Sequence, residues 1–457
     1  MQTAPGEASP QAKRAPVVAS NTLISFALVT FCFALWGFAN DITNPLVKAF
    51  GTIFNQSTFI SAFVQFAFYG GYCFMAIPAA IFIKRYTFKS GILVGLVLYA
   101  VGGMAFIPAS WAGLFWPFCA AFFVMTCGLS FLETSANPYI LSMGDESTAT
   151  QRLNLAQSFN PIGSISGAWV AKTYILEKIN PLSSEERAAL PMQQFNEIKM
   201  SDLGVVRAPY VTIGIVIAIV FVLIWMWRMP QNKDAGHKID FGGTLGRLLG
   251  NPRYRESVIA QAFYVGAQIT VWTYIVHYGT LVFIGEGLEE AAAAAKAQNY
   301  AIYSLLLFAV SRFVCTFLLK YLNAGRLLAI LAAVAVALCF VPIFVGGKPG
   351  LYALVGVSGC MSLMFPTIYG IGLRELEDDA KLAAAGLVMA IAGGSILPLA
   401  QGYLIDSQGV QVSFFLPLLC FVVIVIFGIR VMTVHDHRQY VATSSMPDPA
   451  ASPPASP

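Results

Sequence analysis

MPQNKDAGHKIDFGGTLGRLLG, residues 229–250, is a polar, glycine-containing stretch set in a chain that is otherwise mostly apolar. Its reading decides the fold. The 457 residues are 57% hydrophobic and only 11% charged, whereas a soluble domain carries about 25% charge. So little charge cannot cover a water-facing surface, and the chain reads as a polytopic membrane protein. A span needs about 20 consecutive apolar residues. Six such runs precede the stretch, at 21–43, 57–83, 88–108, 112–142, 153–175 and 208–228, and six follow it, at 255–283, 294–320, 325–345, 350–373, 381–404 and 411–434. Residues 229–254 then become the linker between two equal halves.

Charge orients the spans. With both termini in the cytoplasm, 18 of the 27 Lys and Arg fall on the inner side, six of them in residues 228–255. Lysine and arginine favour cytoplasmic loops. The opposite side receives at most eight, mostly around the long polar segment 176–207, which reads as an outward loop. The expected architecture is an all-α membrane protein, twelve transmembrane helices in two six-helix bundles. Its parts are a disordered cytoplasmic tail (1–20), an N-terminal bundle (21–228), a cytoplasmic linker (229–254), a C-terminal bundle (255–434) and a second disordered cytoplasmic tail (435–457). The first 20 residues lack the cleavage pattern of a signal peptide.

The halves correspond in features rather than identity. The fourth and tenth spans each carry a proline among aromatics, NPYI and FPTIY, and each leads through an acidic connection, GDESTATQR or RELEDDAK, into a span rich in small residues. In the fifth, Gly163 and Gly167 form GxxxG; in the eleventh, Ala390, Gly394 and Pro398 share a four-residue spacing. Small residues at that spacing let helices approach closely. Paired bundles with interrupted helices in matching places are what transporters show.

Polar residues inside the spans are few and clustered. The first span has Asn40, Asp41 and Asn44; the second has Gln65 alone; the fourth has Glu133 and Asn137; the fifth has Gln157 and Asn160. The seventh puts Gln261, Tyr264, Gln268 and Trp272 along one stripe, and spacings of three and four share a helix face. Amides and carboxylates can bond hydroxyls, and flat aromatic rings offer apolar area to a sugar's C–H face. No ring of basic residues suits an organic anion or phosphate, no basic patch suits nucleic acid, and eight cysteines without a CxxC pair indicate neither a disulfide framework nor a zinc site. No cofactor or metal is called for. An uncharged polyol is the ligand this inventory fits, although amides in spans also simply join helices, at about 0.6 kcal/mol each.

The carboxylates demand more. Asp41 can be read as a rim residue, but Glu133 lies about ten residues from the next loop. A charge at mid-bilayer costs ~2.5–3.5 kcal/mol even on the lenient insertion scale. A carboxyl out of water holds its proton more tightly, so it can load from one side and unload to the other, and Glu133 is the candidate for coupling proton entry to sugar uptake. A structural ion pair or an amide-bonded acid is the competing reading. Arg312 is a conceivable partner, better placed to hold contacts near the inner face.

The chain resembles the fucose:proton symporter family of the major facilitator superfamily. The resemblance rests on LWGFAND, VQFAFYGGY with MAIPA, LETSANPY, RLNLAQSFNPIG, AQAFYVGAQ followed by Trp272 and Tyr274, and MSLMFPTIYGIG, from the first span to the eleventh. It implies alternating access with proton-coupled sugar entry. The family's coupling glutamate falls on Glu133, and its sugar-contacting amides fall on Gln157 and Asn160. Its first-span aspartate falls on Asn44, where this chain has moved the acid to Asp41, one turn earlier. A tenth-span tyrosine falls on Phe365. The expectation is a monomeric importer in a bacterial inner membrane, surrounded by lipid, with L-fucose ranked ahead of glucose, galactose and N-acetylglucosamine. Proton coupling is carried by Glu133 and Asp41, and the sugar is bound by Asn40, Asp41, Asn44, Asn137, Gln157, Asn160, Gln261, Tyr264, Gln268, Trp272 and Phe365. Rivals are a sodium-coupled or facilitative carrier, a membrane enzyme and a non-transporting sugar sensor.

Overall fold

A computed structural model describes residues 18, 20–144, 152, 155–229, 241–318, 322–374, 376 and 379–435. Most of the two expected tails and part of both acidic connections lie outside the described residues. Among these, ten helices are long and apolar enough to cross a membrane. The other two of the twelve spans are the fifth, Asn160–Val170 continuing as a π-helical stretch over Ala171–Leu176, and the eighth, Glu290–Leu318, whose first turns carry Glu290, Lys296, Gln298 and Asn299.

Several helices exceed the apolar runs. The sixth is Met192–Met226, so the segment 176–207 is not the loop its polarity suggests. A second helix, Ser184–Ala188, opens with a capping box formed by Ser183 and Glu186. The connection is held from inside. Arg187 and Asp202, both nearly inaccessible, pair at 2.7 Å. Arg187 also donates to the carbonyls of Asn180 and Leu182, while Asp202 accepts from the Asn180 N–H. The linker is likewise partly helical, over Phe241–Gly250, and the seventh helix starts at Pro252. The first, tenth and eleventh spans are broken by two or more residues. The first runs Leu23–Thr43, pauses at Asn44–Pro45 and resumes over Leu46–Phe54. The tenth breaks between Gly347–Met361 and Met364–Leu373, and Pro366 sits early in the new helix, where its missing N–H costs little. In the eleventh, Ala380–Met389 and Gly393–Gln408 flank a 3₁₀ turn. The third and fourth are separated at Gly113, whose φ of 63° stops the helix.

Packing repeats across the halves. The first helix lies on the fifth, the second and third on the fourth, and the third on the sixth; correspondingly the seventh lies on the eleventh, the eighth and ninth on the tenth, and the ninth on the twelfth. Backbone contact explains the glycines. A Cβ on Gly163 would stand 1.8 Å from the Ala34 carbonyl oxygen, and one on Gly167 2.4 Å from that of Phe38. In the other half the equivalent contact is made by Gly393, 1.9 Å from the Ala262 oxygen, and not by Gly394, which faces Tyr69 and Ile269. The halves meet along two seams, second span against eleventh and fifth against eighth, which are the same seam under exchange of halves.

At the face that carries residues 177–191, called here the loop face, the seams are tightly closed. Asp406 at the end of the eleventh span accepts from the N–H groups of Thr58 and Phe59, at 2.9 and 2.7 Å. Ser57 caps the same helix from within. Glu290 pairs with Lys48 of the first span and accepts from the Ser184 N–H.

Candidate functional site

The polar side chains of the spans fall into two layers. The layer nearer the loop face is a hydrogen-bonded chain. Asp41 and Asn44, one turn apart, are joined by Asn44 Nδ2 donating to Asp41 Oδ1 at 2.9 Å. Gln65 of the second span donates from Nε2 to Asn44 Oδ1 at 3.2 Å and to Thr273 Oγ1 of the seventh at 3.0 Å. The chain therefore passes from one half to the other. Gln65 looked isolated in the sequence because its partners come from two other helices. Asp41 and Asn44 are almost fully buried. The pause at Asn44–Pro45 sits at this point, so the chain turns where the acid and amide meet. Asp41, although a turn earlier than the family's acid, thus has its carboxylate against the Asn44 side chain.

Trp272 completes this layer. Its indole N–H donates to Ser358 Oγ at 3.1 Å and its ring meets Phe308 edge-on at 5.2 Å. Asp41, Asn44, Trp272 and Gln298 line one small cavity with Ala168, Ala301 and Leu305. Gln298 is not among the residues that the sequence singles out; it and the adjacent amide Asn299 point about 100° apart on the helix. Only the position of the neighbouring helices decides which faces in.

The second layer lies farther from the loop face. Glu133 is 6% exposed, and its Oε2 has no hydrogen-bond partner among the described residues. Asn137 is tied back to the Glu133 carbonyl at 3.1 Å and accepts from Gln157 Nε2 at 3.1 Å. Asn160 donates to the Phe33 carbonyl at 3.2 Å. Fourth, fifth and first spans thus present Glu133 beside a bonded pair of amides. Tyr72 of the second span and Tyr369 of the tenth lie within electrostatic reach of Glu133. The Tyr72 hydroxyl and the Trp36 indole N–H, from the second and first spans, are buried against each other. Asn40 Oδ1 is buried without a partner among the described residues.

The seventh-helix stripe is divided. Trp272 reaches the cavity, and Gln268 is half-buried. Tyr264 is fully buried, with its hydroxyl donating to the Met361 carbonyl at 3.0 Å and its ring 6.3 Å from Phe365. In this conformation it holds the seventh span to the tenth. Gln261 is buried with both amide atoms unpartnered among the described residues. Arg312 sits over the Phe308 ring and bonds the Ser362 carbonyl.

The sequence pattern of the Major Facilitator Superfamily matches residues 29–392. The L-fucose–proton symporter of Haemophilus influenzae is 46% identical over 91% of this chain and 98% of its own. The glucose/galactose transporter of Brucella abortus is 28% identical over 88% and 93%. The Escherichia coli fucose:proton symporter, one of whose crystal structures is in the outward conformation, aligns with a TM-score of 0.68 at 34% identity, covering 89% of this chain and 98% of its own. A polytopic helical chain with two matching halves, a buried acid between them and these relatives belongs to the major facilitator superfamily, within its family of fucose:proton symporters.

Proposed function

We propose that the chain imports L-fucose together with protons by alternating access, as a monomer in a bacterial inner membrane with both termini in the cytoplasm. The halves 21–228 and 255–434 rock about the polar layers, and the linker 229–254 joins them on the cytoplasmic side. The observation that carries the reading is Glu133. A buried carboxyl with one oxygen unbonded, next to the Asn137–Gln157 pair, is suited to hold a proton and to register a sugar hydroxyl among the amides. The closed contacts of Asp406 and Glu290 then describe a carrier shut toward the outside. A proton moving down 100 mV releases ~2.3 kcal/mol, enough for about fiftyfold accumulation.

Asp41 gives the site a second acid, held by Asn44. It has moved from the family's place, so the hydroxyl pattern recognised there differs in detail, and a glucose/galactose carrier is the second reading, as in the Brucella relative. A carrier needs no catalytic nucleophile or metal, and the site residues are amides, acids and aromatics. Purified protein in proteoliposomes, given labelled L-fucose, glucose, galactose and N-acetylglucosamine with an imposed pH or sodium gradient, tests the reading. L-Fucose accumulating only under an inward proton gradient supports it. Accumulation driven by sodium, or of glucose and galactose alone, replaces it with the corresponding rival.

A further inference from the structure

Gln298 is 1% exposed. Its Nε2 donates to the Ala168 carbonyl of the fifth span at 3.3 Å, across the seam between the halves, while its Oε1 has no partner among the described residues. The bond to a carbonyl fixes which end of the amide is nitrogen, so the unsatisfied atom is the acceptor. A buried acceptor without a donor calls for an explanation. Gln298 lines a cavity together with Asp41, Asn44, Ala168, Trp272, Ala301 and Leu305. The cavity has room for about one water, roughly 10 Å³, so a sugar enters only as the halves part. Ala168 precedes the π-helical stretch Ala171–Leu176, a distortion that occurs often at functional sites.

We propose that Gln298 is a sugar-binding and specificity-determining residue supplied by the C-terminal half, its Oε1 accepting from one ring hydroxyl of the transported sugar. The inference rests on the reading of the chain as a sugar carrier. Asp41 and Asn44 hold hydroxyls from the N-terminal half. Trp272 takes a C–H face of the ring. Ala301 and Leu305 give an apolar wall that suits the methyl group of a 6-deoxy sugar. Because Nε2 grips the opposite half while Oε1 grips the sugar, one side chain joins occupancy of the site to closure of the seam.

The test is uptake of L-fucose and its monodeoxy analogues by the unmodified chain and by Gln298→Met, each in proteoliposomes. In the unmodified chain one analogue, lacking the hydroxyl that meets Oε1, has a half-saturation concentration about tenfold above that of L-fucose. In Gln298→Met that ratio falls to within twofold of one, because L-fucose itself has weakened about tenfold. A residue that only fastened the seam would weaken every sugar alike and leave all ratios as they were. Ratios unchanged within twofold for every analogue therefore overturn the role of Gln298. Gln298→Ser, which adds no apolar bulk, must give the same collapse and covers the case in which the methionine variant fails to fold. An unmodified chain that binds and carries no sugar at all overturns the carrier reading and this inference with it.

Discussion

Asp406 offers a direct perturbation of the closed loop face. Its two carboxylate oxygens take the Thr58 and Phe59 N–H groups at 2.9 and 2.7 Å, two of the donors that a helix start leaves unsatisfied. Asp406→Asn keeps the shape but turns one acceptor into a donor facing an N–H. A hydrogen bond to a charged group nets about 1.5–3 kcal/mol; the site is exposed, so water replaces part of the loss, and about 1.4 kcal/mol is the reasonable figure. That is tenfold in the ratio of closed to open carrier. Glu290→Gln weakens the Lys48 pair, partly shielded at 20% and 14% side-chain exposure, by about 1 kcal/mol. The two sites share no partner, so their effects add, giving about fiftyfold for the double variant. Spin labels at Trp111 and Gln408, exposed positions near the loop ends of the third and eleventh spans, report the separation of the halves in nanodiscs. Each single variant is expected to add a longer-distance population, and the double variant to make it dominant. Distance distributions that stay the same in all three would refute the assignment of these contacts as the closure.

Two further outcomes are expected. Gly163→Ala and Gly393→Ala each force a methyl into a carbonyl oxygen at 1.8 and 1.9 Å; overpacking costs about 1–3 kcal/mol or more, so both should lower the melting temperature of the purified protein, while Gly204→Ala, with nothing within 4 Å, should leave it unchanged or raise it. Asp41→Asn should cut proton-driven uptake at least tenfold, and adding Asn44→Asp, which returns an acid to the same hydrogen-bonded pair, should restore a substantial part; no recovery in the double variant would mean that the acid is needed at position 41 itself.

The sequence revealed the spans because lipid demands long apolar runs, and it put Asn40, Asp41 and Asn44 on one helix face by their spacing, though not which of them bond: Asn44 joins Asp41. It failed where polarity and helicity part company. Residues 192–207 read as loop for their charges, yet Asp202 is buried against Arg187, and Phe241–Gly250 is helical despite its glycines. Glu133 and Asn137, four apart, do meet, though through the Glu133 backbone carbonyl rather than its carboxyl. Gln65 and Gln298 were beyond reach for one reason. Their meaning lies in Thr273, 208 residues from Gln65, and in Ala168, 130 residues from Gln298, and no local spacing encodes which helices lie side by side. Tyr264 shows the converse: it shares a stripe with Trp272, but its hydroxyl is occupied by the Met361 carbonyl.

The central claim is that Glu133 couples proton movement to sugar movement, and Glu133→Gln tests it most directly. In proteoliposomes with the interior alkaline, the variant should bring labelled L-fucose only to equal concentrations on the two sides, while exchange of internal for external sugar continues at a rate near that of the unmodified chain. Accumulation by Glu133→Gln equal to that of the unmodified chain would contradict the account.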